Sequence, residues 1–433
     1  MKLSISVFLL FTFLRLQSQE VINTSFTSAS LDGTQIPLNI YLPAGYSESN
    51  QPYRLYIFMH GCCGLNQNSH INSFKSRLDQ KIASGEIDPI VVAFPSAQGA
   101  DFENLHLWID SERNGNYGSL IVNDLTGWLE SNYNVTTTKE KRAIGGFSMG
   151  ALGSFQLGLN FSDQFIALVS HSGYSAIENF ENWVPEIIAE TGQSNPPYTY
   201  SPANGSNTNA IFGISSAYSP NLNNPPHLLD FPIDENGEII QEVLDRWRYI
   251  ASPDSIIRRK WGTEPKIVPV AMYFDVGIQE SVFTFYQTNV FLNTQLENLD
   301  LNQGFDMEYV FNVFNEGHNM SIQRIDSSLV WLDRIMDAAT ITSTAIPVEK
   351  EAAFSVFPNI VDKYTELVFH QNLPENSTLL VCNSVGKIIF ENKDLIPATG
   401  GTFKIATDQW PAGVYWIYLN TGKEIFKKQV IKM

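Results

Sequence analysis

Between residues 21 and 338, apolar runs of strand length alternate with segments of helical spacing. Residues 36–41 and 53–59 read as strands, and the second ends at His60-Gly61. Helical spacing follows at 74–84, a buried strand at 89–94 and an amphipathic helix at 117–129. A short strand at 141–144, a helix at 149–157 and a strand at 165–170 continue the pattern. The strand signal returns at 266–274 and 307–312, with helices at 281–299 and 321–336. Strands that are apolar throughout must be covered on both faces, so this alternation predicts an α/β fold around a mostly parallel sheet.

The rhythm breaks twice. Between 174 and 261 the chain holds Pro196-Pro197, Pro202, Pro220, Pro225-Pro226, many asparagines, and aromatics such as Trp183, Tyr198, Tyr200 and Phe212. A structureless loop of that length is uncommon in a compact domain. The segment 175–262 therefore reads as a cap or enlarged rim over the active-site face, with a decorative insertion as the alternative. After Ile341-Thr342-Ser343-Thr344-Ala345-Ile346-Pro347 only short strands remain: 367–370, 379–383, 387–390, 403–406, 414–419 and 425–431. Glycines punctuate them, which predicts a small all-β sandwich over 353–433, joined by a linker at 341–352 to a body at 20–340.

Composition narrows the function classes. Asp and Glu number 45 against 27 Lys and Arg, a formal charge of −18. Such a field repels nucleic acid and anionic lipid, so neither is an expected partner. At the N-terminus Lys2 precedes an apolar run at 3–14, followed by Gln17-Ser18-Gln19. That reads as a signal peptide over 1–19, too short to span a bilayer; a buried first strand or helix is the alternative. No later stretch has the length of a membrane span. The chain has only Cys62, Cys63 and Cys382. Neighbouring cysteines rarely pair, so no disulfide is expected, and three thiols without clustered histidines do not suggest a metal site.

The sharpest chemical signal is Gly146-Phe147-Ser148-Met149-Gly150, after a short strand and before a helix. A serine flanked by glycines at i−2 and i+2 fits a nucleophile elbow, whose tight turn tolerates only small neighbours. The turn exposes the Ser148 hydroxyl and places the Met149 N–H at a helix start, where negative charge is stabilised. The base must be an imidazole, and in this arrangement it follows the serine and the acid along the chain. Of the four later histidines, His370 lies in the sandwich, His227 in the insertion, and His171 too close to leave room for an acid strand. His318, between a strand and a long helix, fits. The acid is Asp275 or Glu280, both at the end of the 266–274 strand. His60-Gly61-Cys62-Cys63-Gly64 offers the second oxyanion N–H, from Cys62 or Cys63, and His60 reads as a loop-orienting residue. No cofactor is required.

With these residues in hand, the first 340 or so resemble the esterase family of α/β-hydrolases. That family includes S-formylglutathione hydrolases and feruloyl, acetylxylan and enterochelin esterases. The resemblance runs through Tyr41-Leu42-Pro43-Ala44-Gly45-Tyr46, the His60-Gly61 loop, Asp110-Ser111 with Gly115-Asn116-Tyr117, residues 142–150 and Ser172-Gly173. It implies an α/β-hydrolase fold and a serine esterase. It favours Glu280 as acid, because the family's acid stands three residues after a glycine, here Gly277, and is usually Asp. The family's Gly-His pair matches His318. The last 80 or so residues resemble the sorting domain of the type IX secretion system, through Phe357-Pro358-Asn359, Asn383-Ser384-Val385-Gly386-Lys387, Pro411-Ala412-Gly413-Val414-Tyr415 and a basic final strand. That resemblance implies export to the cell surface or medium with the secretion machinery as partner. Composition alone would equally allow a carbohydrate-binding sandwich.

The expected activity is hydrolysis of small-molecule or polysaccharide-linked esters. A serine peptidase is one rival, and a surface-displayed binding or structural protein with an idle hydrolase fold is another.

Overall fold

The computed structural model describes residues 19–99, 101–173, 180, 183–191, 199–201, 203–262, 266–280 and 285–341. Beyond these it describes 354–357, 360–361, 363–370, 372–374, 377–383, 388–392, 401–411, 413–421 and 425–432. The expected signal peptide lies outside the described residues except for Gln19, and so does the linker from 342 onward. The described residues form two compact units. The first takes the chain to Phe274 with Gln287–Tyr309 and Met320–Thr340, and the second takes Asp275–Tyr286, Val310–Asn319 and the chain from Ile341.

The main sheet has eight strands: β1 (Glu20–Ser28), β2 (Thr34–Leu42), β3 (Arg54–Met59), β4 (Ile90–Pro95), β5 (Arg142–Phe147), β6 (Ala167–His171), β7 (Ala271–Gly277) and β8 (Tyr309–Phe314). Their spatial order is β1-β2-β4-β3-β5-β6-β7-β8. β1 and β2 form an antiparallel hairpin, and β2 meets β4 antiparallel. The pairs β3–β4, β3–β5 and β5–β6 are parallel. Every residue of β3, β4, β5, β6 and β7 is buried, as expected for strands covered on both faces. β1 alternates between exposed and covered positions because it closes the sheet edge. The order and the covering helices make this an α/β-hydrolase core.

Helix α1 (Ile71–Ser84) buries Ile71, Phe74, Leu78 and Lys81 on one stripe and stops at Gly85, whose φ of 72° suits a left-handed cap. The Lys81 ammonium meets Glu86 at 2.8 Å. The segment 117–132 is helical, but residues Leu120–Leu125 widen into a π-turn before α2 (Thr126–Asn132). Helix α3 (Met149–Asn160) is buried over its first eleven residues, so it is a core helix rather than an amphipathic one. At the start of β3, buried Arg54 pairs with Asp88 at 2.6 Å, with Asp333 at 2.7 Å and with Asp337.

The expected strand at 266–274 is two pieces. Lys266–Ile267 pairs in parallel with Phe305–Asp306, and β7 starts only at Ala271. Pro269 lies between them and has no N–H for a ladder. Within 175–262 the described residues include α4 (Val184–Thr191), α5 (Ser206–Tyr218), α6 (Gln241–Ala251) and α7 (Pro253–Trp261). Trp183 is buried against Phe180, with ring centroids 5.8 Å apart, and Phe180 packs on Trp247. Trp183 is therefore a core residue of the insertion. Tyr198 lies outside the described residues. Two further helices, α8 (Phe285–Gln303) and α9 (Ile322–Ile341), follow β7 and β8 along the chain.

The C-terminal part is all β. Strands β9 (Phe354–Phe357), β11 (Tyr364–Phe369) and β14 (Thr402–Ala406) make one sheet, in the order β9-β11-β14. β10 (Ile360–Val361), β12 (Thr378–Asn383), β13 (Ile388–Asn392), β15 (Gly413–Asn420) and β16 (Ile425–Lys432) make the other, in the order β10-β16-β15-β12-β13. Leu367, Phe369 and Ile405 from the first sheet share a core with Leu379, Val381, Ile417, Leu419 and Val430 from the second. The i, i+2 spacing within these strands puts one face of each inward. The residues 358–359, 384–387 and 412 of the sorting-domain motifs lie outside the described residues.

Candidate active site

Strand β5 delivers the chain into a sharp turn at Ser148 (φ 55°, ψ −116°), and α3 starts at the next residue. Positive φ at a non-glycine residue is uncommon and costs on the order of 1–3 kcal/mol, so the surroundings must hold it. The Ser148 N–H donates to His171 O at 2.9 Å, and the Ala151 and Leu152 N–H groups donate to Ser148 O. Both flanking glycines are required by contact. A Cβ on Gly146 would stand 2.3 Å from the Gly150 carbonyl carbon, and one on Gly150 would stand 2.1 Å from Met59 O. Met149 N–H lies in the first turn of α3, among the amides that a helix start leaves without an intrahelical acceptor.

The loop after β3 runs beside this elbow: a Cβ on Gly61 would sit 3.1 Å from Ser148 Cβ. His60 fixes the loop from behind. Its Nε2 accepts the Ala97 N–H at 3.2 Å, so the proton is on Nδ1, which donates to Gly61 O at 2.6 Å. Trp108 Nε1–H donates to His60 O at 3.1 Å. Burial pushes the His60 pKa down to about 4, against a smaller upward pull from the Gly61 bond. His60 is thus a neutral, loop-orienting residue. Behind it His106 is stacked on Tyr117 at 4.0 Å and is driven down to about 3 by burial first, then by His60.

Cys62 and Cys63 are joined by a disulfide, contrary to the sequence expectation. The backbone makes this possible locally. Leu65 N–H donates to Cys62 O at 3.2 Å, closing a turn whose central residues, Cys63 (φ 60°) and Gly64 (φ 94°), both have positive φ. The pair closes a small ring through its own peptide, half-exposed at Cys62 and exposed at Cys63.

The second unit holds the other two expected residues. His318 Nδ1 lies 2.8 Å from Glu280 Oε2; the carboxylate side chain is fully enclosed, while the imidazole is 21% exposed. Two backbone bonds join their loops, Ile278 N–H to Phe314 O at 2.8 Å and Gln279 N–H to Glu316 O at 3.0 Å. A Cβ on Gly277 would come 2.1 Å from Glu316 O, which explains the glycine. The Phe285 ring lies 5.4 Å from the imidazole. Asp275 is fully buried within β7. Glu280 is therefore the carboxylate the structure brings to His318.

Two braces escaped the sequence reading. Asn289 Nδ2 donates to Gly173 O at 2.6 Å, and Arg324 Nη2 donates to Ser172 Oγ at 2.8 Å. Both hold the turn after β6, beside the His171 carbonyl that receives the Ser148 N–H. In the insertion, Phe212, Phe231, His227, Pro225, Pro226 and Asp234 line a cavity of about 260 Å3. Among the described residues no group of three or more His, Cys, Asp or Glu side chains is placed to hold a metal ion. No described helix is long and apolar enough to cross a membrane.

Comparison with known proteins matches residues 28–218 to the family described as "Putative esterase", and residues 355–433 to the secretion system C-terminal sorting domain. Over 199 residues the chain is 27% identical to endo-1,4-beta-xylanase Y of Acetivibrio thermocellus, a match covering 44% of this chain and 18% of that protein. Over 141 residues it is 26% identical to an esterase of Mycobacterium tuberculosis, covering 32% of this chain and 29% of that protein. The chain thus spans less than a third of either relative's length. Among solved structures, a ferulic acid esterase aligns with TM-score 0.49 and 18% identity, over 74% of this chain and 99% of that one. The matched segments give the chain an esterase-family α/β-hydrolase domain and, at its C-terminal end, a sorting domain of a secretion system.

Proposed function

We propose that this protein is an exported serine esterase in which Ser148 is the nucleophile, His318 the base and Glu280 the acid. The observation that carries the reading is the strained elbow, with Ser148 at φ 55° before α3 and no room for a side chain at Gly146 or Gly150. Strain of this kind persists where a side chain must be presented for chemistry.

In the reaction Ser148 Oγ attacks the ester carbonyl carbon while His318 Nε2 takes its proton. Glu280, on Nδ1, fixes the tautomer and stabilises the imidazolium. The carbonyl oxygen becomes an oxyanion facing the Met149 N–H and an N–H of Cys62 or Cys63. The imidazolium then protonates the leaving alcohol, and water repeats the cycle on the acyl-enzyme to release the acid. No step calls for a cofactor.

We read residues 20–340 as the catalytic domain and 353–433 as the export signal for the type IX machinery, with 1–19 as the signal peptide. The substrates would then be extracellular, and the similarity to a xylanase polypeptide favours acyl groups on polysaccharide. A p-nitrophenyl acetate assay tests the class. Hydrolysis should disappear in Ser148→Ala while the thermal melt is kept, and a fluorophosphonate should label the parent chain alone. Absence of both turnover and labelling in the parent chain would refute the reading.

A further inference from the structure

We propose that the Cys62–Cys63 disulfide is a positioning element of the oxyanion loop, and that it makes ester hydrolysis sensitive to reduction. The inference rests on the proposed esterase reaction. Three observations converge on it. First, the loop carrying the pair lies against the nucleophile, since a Cβ on Gly61 would stand 3.1 Å from Ser148 Cβ. Second, the loop is anchored on its β3 side by the His60 ring and carbonyl, and beyond the cysteines by Gln98 Nε2, which donates to Leu65 O at 3.1 Å. Between these anchors the turn depends on Cys63 and Gly64 at positive φ. Glycine adopts that conformation freely, but a Cβ opposes it at Cys63. The disulfide ring couples the Cys63 side chain to its neighbour and removes the rotations by which the turn would open. Third, the pair is accessible, with Cys63 exposed and Cys62 half-exposed, so a soluble reductant can reach it.

The chemistry is ordinary exchange. A dithiol attacks one sulfur as its thiolate, the Cys62–Cys63 bond breaks, and a mixed disulfide forms. The second thiol of the reagent then releases the protein as two thiols, and the reagent departs as its own cyclic disulfide. Two electrons and two protons pass to the protein. Cys63 is then free to return to negative φ, which turns the Cys62 and Cys63 N–H groups away from the oxyanion.

The test uses the full chain with p-nitrophenyl acetate. Treatment with dithiothreitol, confirmed by a gain of two hydrogens in mass, should lower kcat by about tenfold or more, because an oxyanion donor is worth about 10²–10³ when lost outright. KM should change little, and reoxidation should restore kcat. The double variant Cys62→Ser with Cys63→Ser should sit at the reduced level and ignore the reductant. Pairing Cys62→Ser with Cys63→Gly should recover part of the loss, because glycine takes the turn conformation unaided. A merely structural bond would instead shift the melt and leave the glycine variant no better than the serine one. An unchanged kcat after verified reduction overturns this inference and leaves the esterase reading intact. Peptide mapping that finds free thiols at both positions in the isolated chain also overturns it alone. Failure of the oxidised chain to hydrolyse any ester overturns both.

Discussion

One methyl group at position 61 perturbs the proposed oxyanion loop and little else. In Gly61→Ala the new Cβ would stand 2.9 Å from Leu65 Cδ1, 3.1 Å from Ser148 Cβ and 3.3 Å from Phe147 O. The Leu65 methyl ends a flexible side chain and can rotate away. Ser148 Cβ and Phe147 O cannot, because β5 and the Ser148 N–H bond to His171 O at 2.9 Å hold the elbow. The loop must therefore withdraw by roughly a few tenths of an ångström, enough to stretch a donor beyond its 2.7–3.1 Å optimum without removing it. Outright loss of one donor costs about 10²–10³ in kcat, so a partial withdrawal should cost about 10- to 100-fold. That is about 1.4–2.7 kcal/mol on the barrier. The loss should fall on kcat rather than KM, because the donor acts on charge that develops only in the transition state. Steady-state kinetics on p-nitrophenyl acetate, paired with a thermal melt, measure both parts. A kcat within about twofold of the parent, at an unchanged melt, would mean that the loop does not lie against the nucleophile in the working enzyme.

Glu280→Gln keeps the shape of the side chain at His318 Nδ1 but removes its charge, and kcat should fall by about 10²-fold or more. Asp275→Asn should act mainly on stability, and a larger kcat loss there than at Glu280 would reverse the assignment of the acid. Acid should destabilise the fold in a defined window. His60 and His70 are held down to about 4 and His106 to about 3, chiefly by burial. Unfolded, each titrates near 6.5, so the unfolded chain binds more protons between about 6.5 and 4. Stability is therefore lost as pH falls through that window, by roughly 3 kcal/mol for even one of the three. Urea melts at about pH 7 and pH 4.5 measure the loss, and equal midpoints would contradict it. Among the described residues His70 Nε2 has no hydrogen-bond partner, so His70→Phe should reduce the pH dependence without breaking a bond at that nitrogen.

The elbow was legible because steric exclusion is written directly into residue identity. Gly146 and Gly150 are glycines for reasons that spacing alone suggests, and the fold only supplies the atoms that would collide. The core strands were legible for a similar reason, since burial on both faces leaves continuous apolar runs at β3 and β4. The failures share another cause: they depend on contacts distant in sequence or on single dihedrals. Helix α5 mixes small, polar and apolar residues and is buried over Ala210, Ile211, Phe212 and Ile214. Its polar residues Thr208, Asn209, Ser215 and Ser216 are buried as well, so they mark no solvent face. The π-turn at Leu120–Leu125 leaves the apolar spacing nearly unchanged. The bond between Cys62 and Cys63 hangs on a positive φ at Cys63, which no residue type announces.

The proposed acid, Glu280, shows how a departure from the common pattern can be accommodated. Glutamate is longer than aspartate by one methylene, which displaces its carboxylate by about a bond length if the backbone stays fixed. Here the acid loop and the histidine loop are tied by two backbone hydrogen bonds, at Ile278 and Gln279, with Gly277 pressed against the Glu316 carbonyl. The Glu280–His318 spacing is therefore set inside one locally bonded pair of loops. It does not depend on the length of a single side chain reaching across open space. Within that pair the longer side chain is fully enclosed and still reaches Nδ1 at 2.8 Å. Enclosure strengthens the bond electrostatically and removes the rotamer freedom that makes an exposed glutamate a poor orienting group. A residue that looks anomalous in the sequence is thus a consistent part of the loop that holds it.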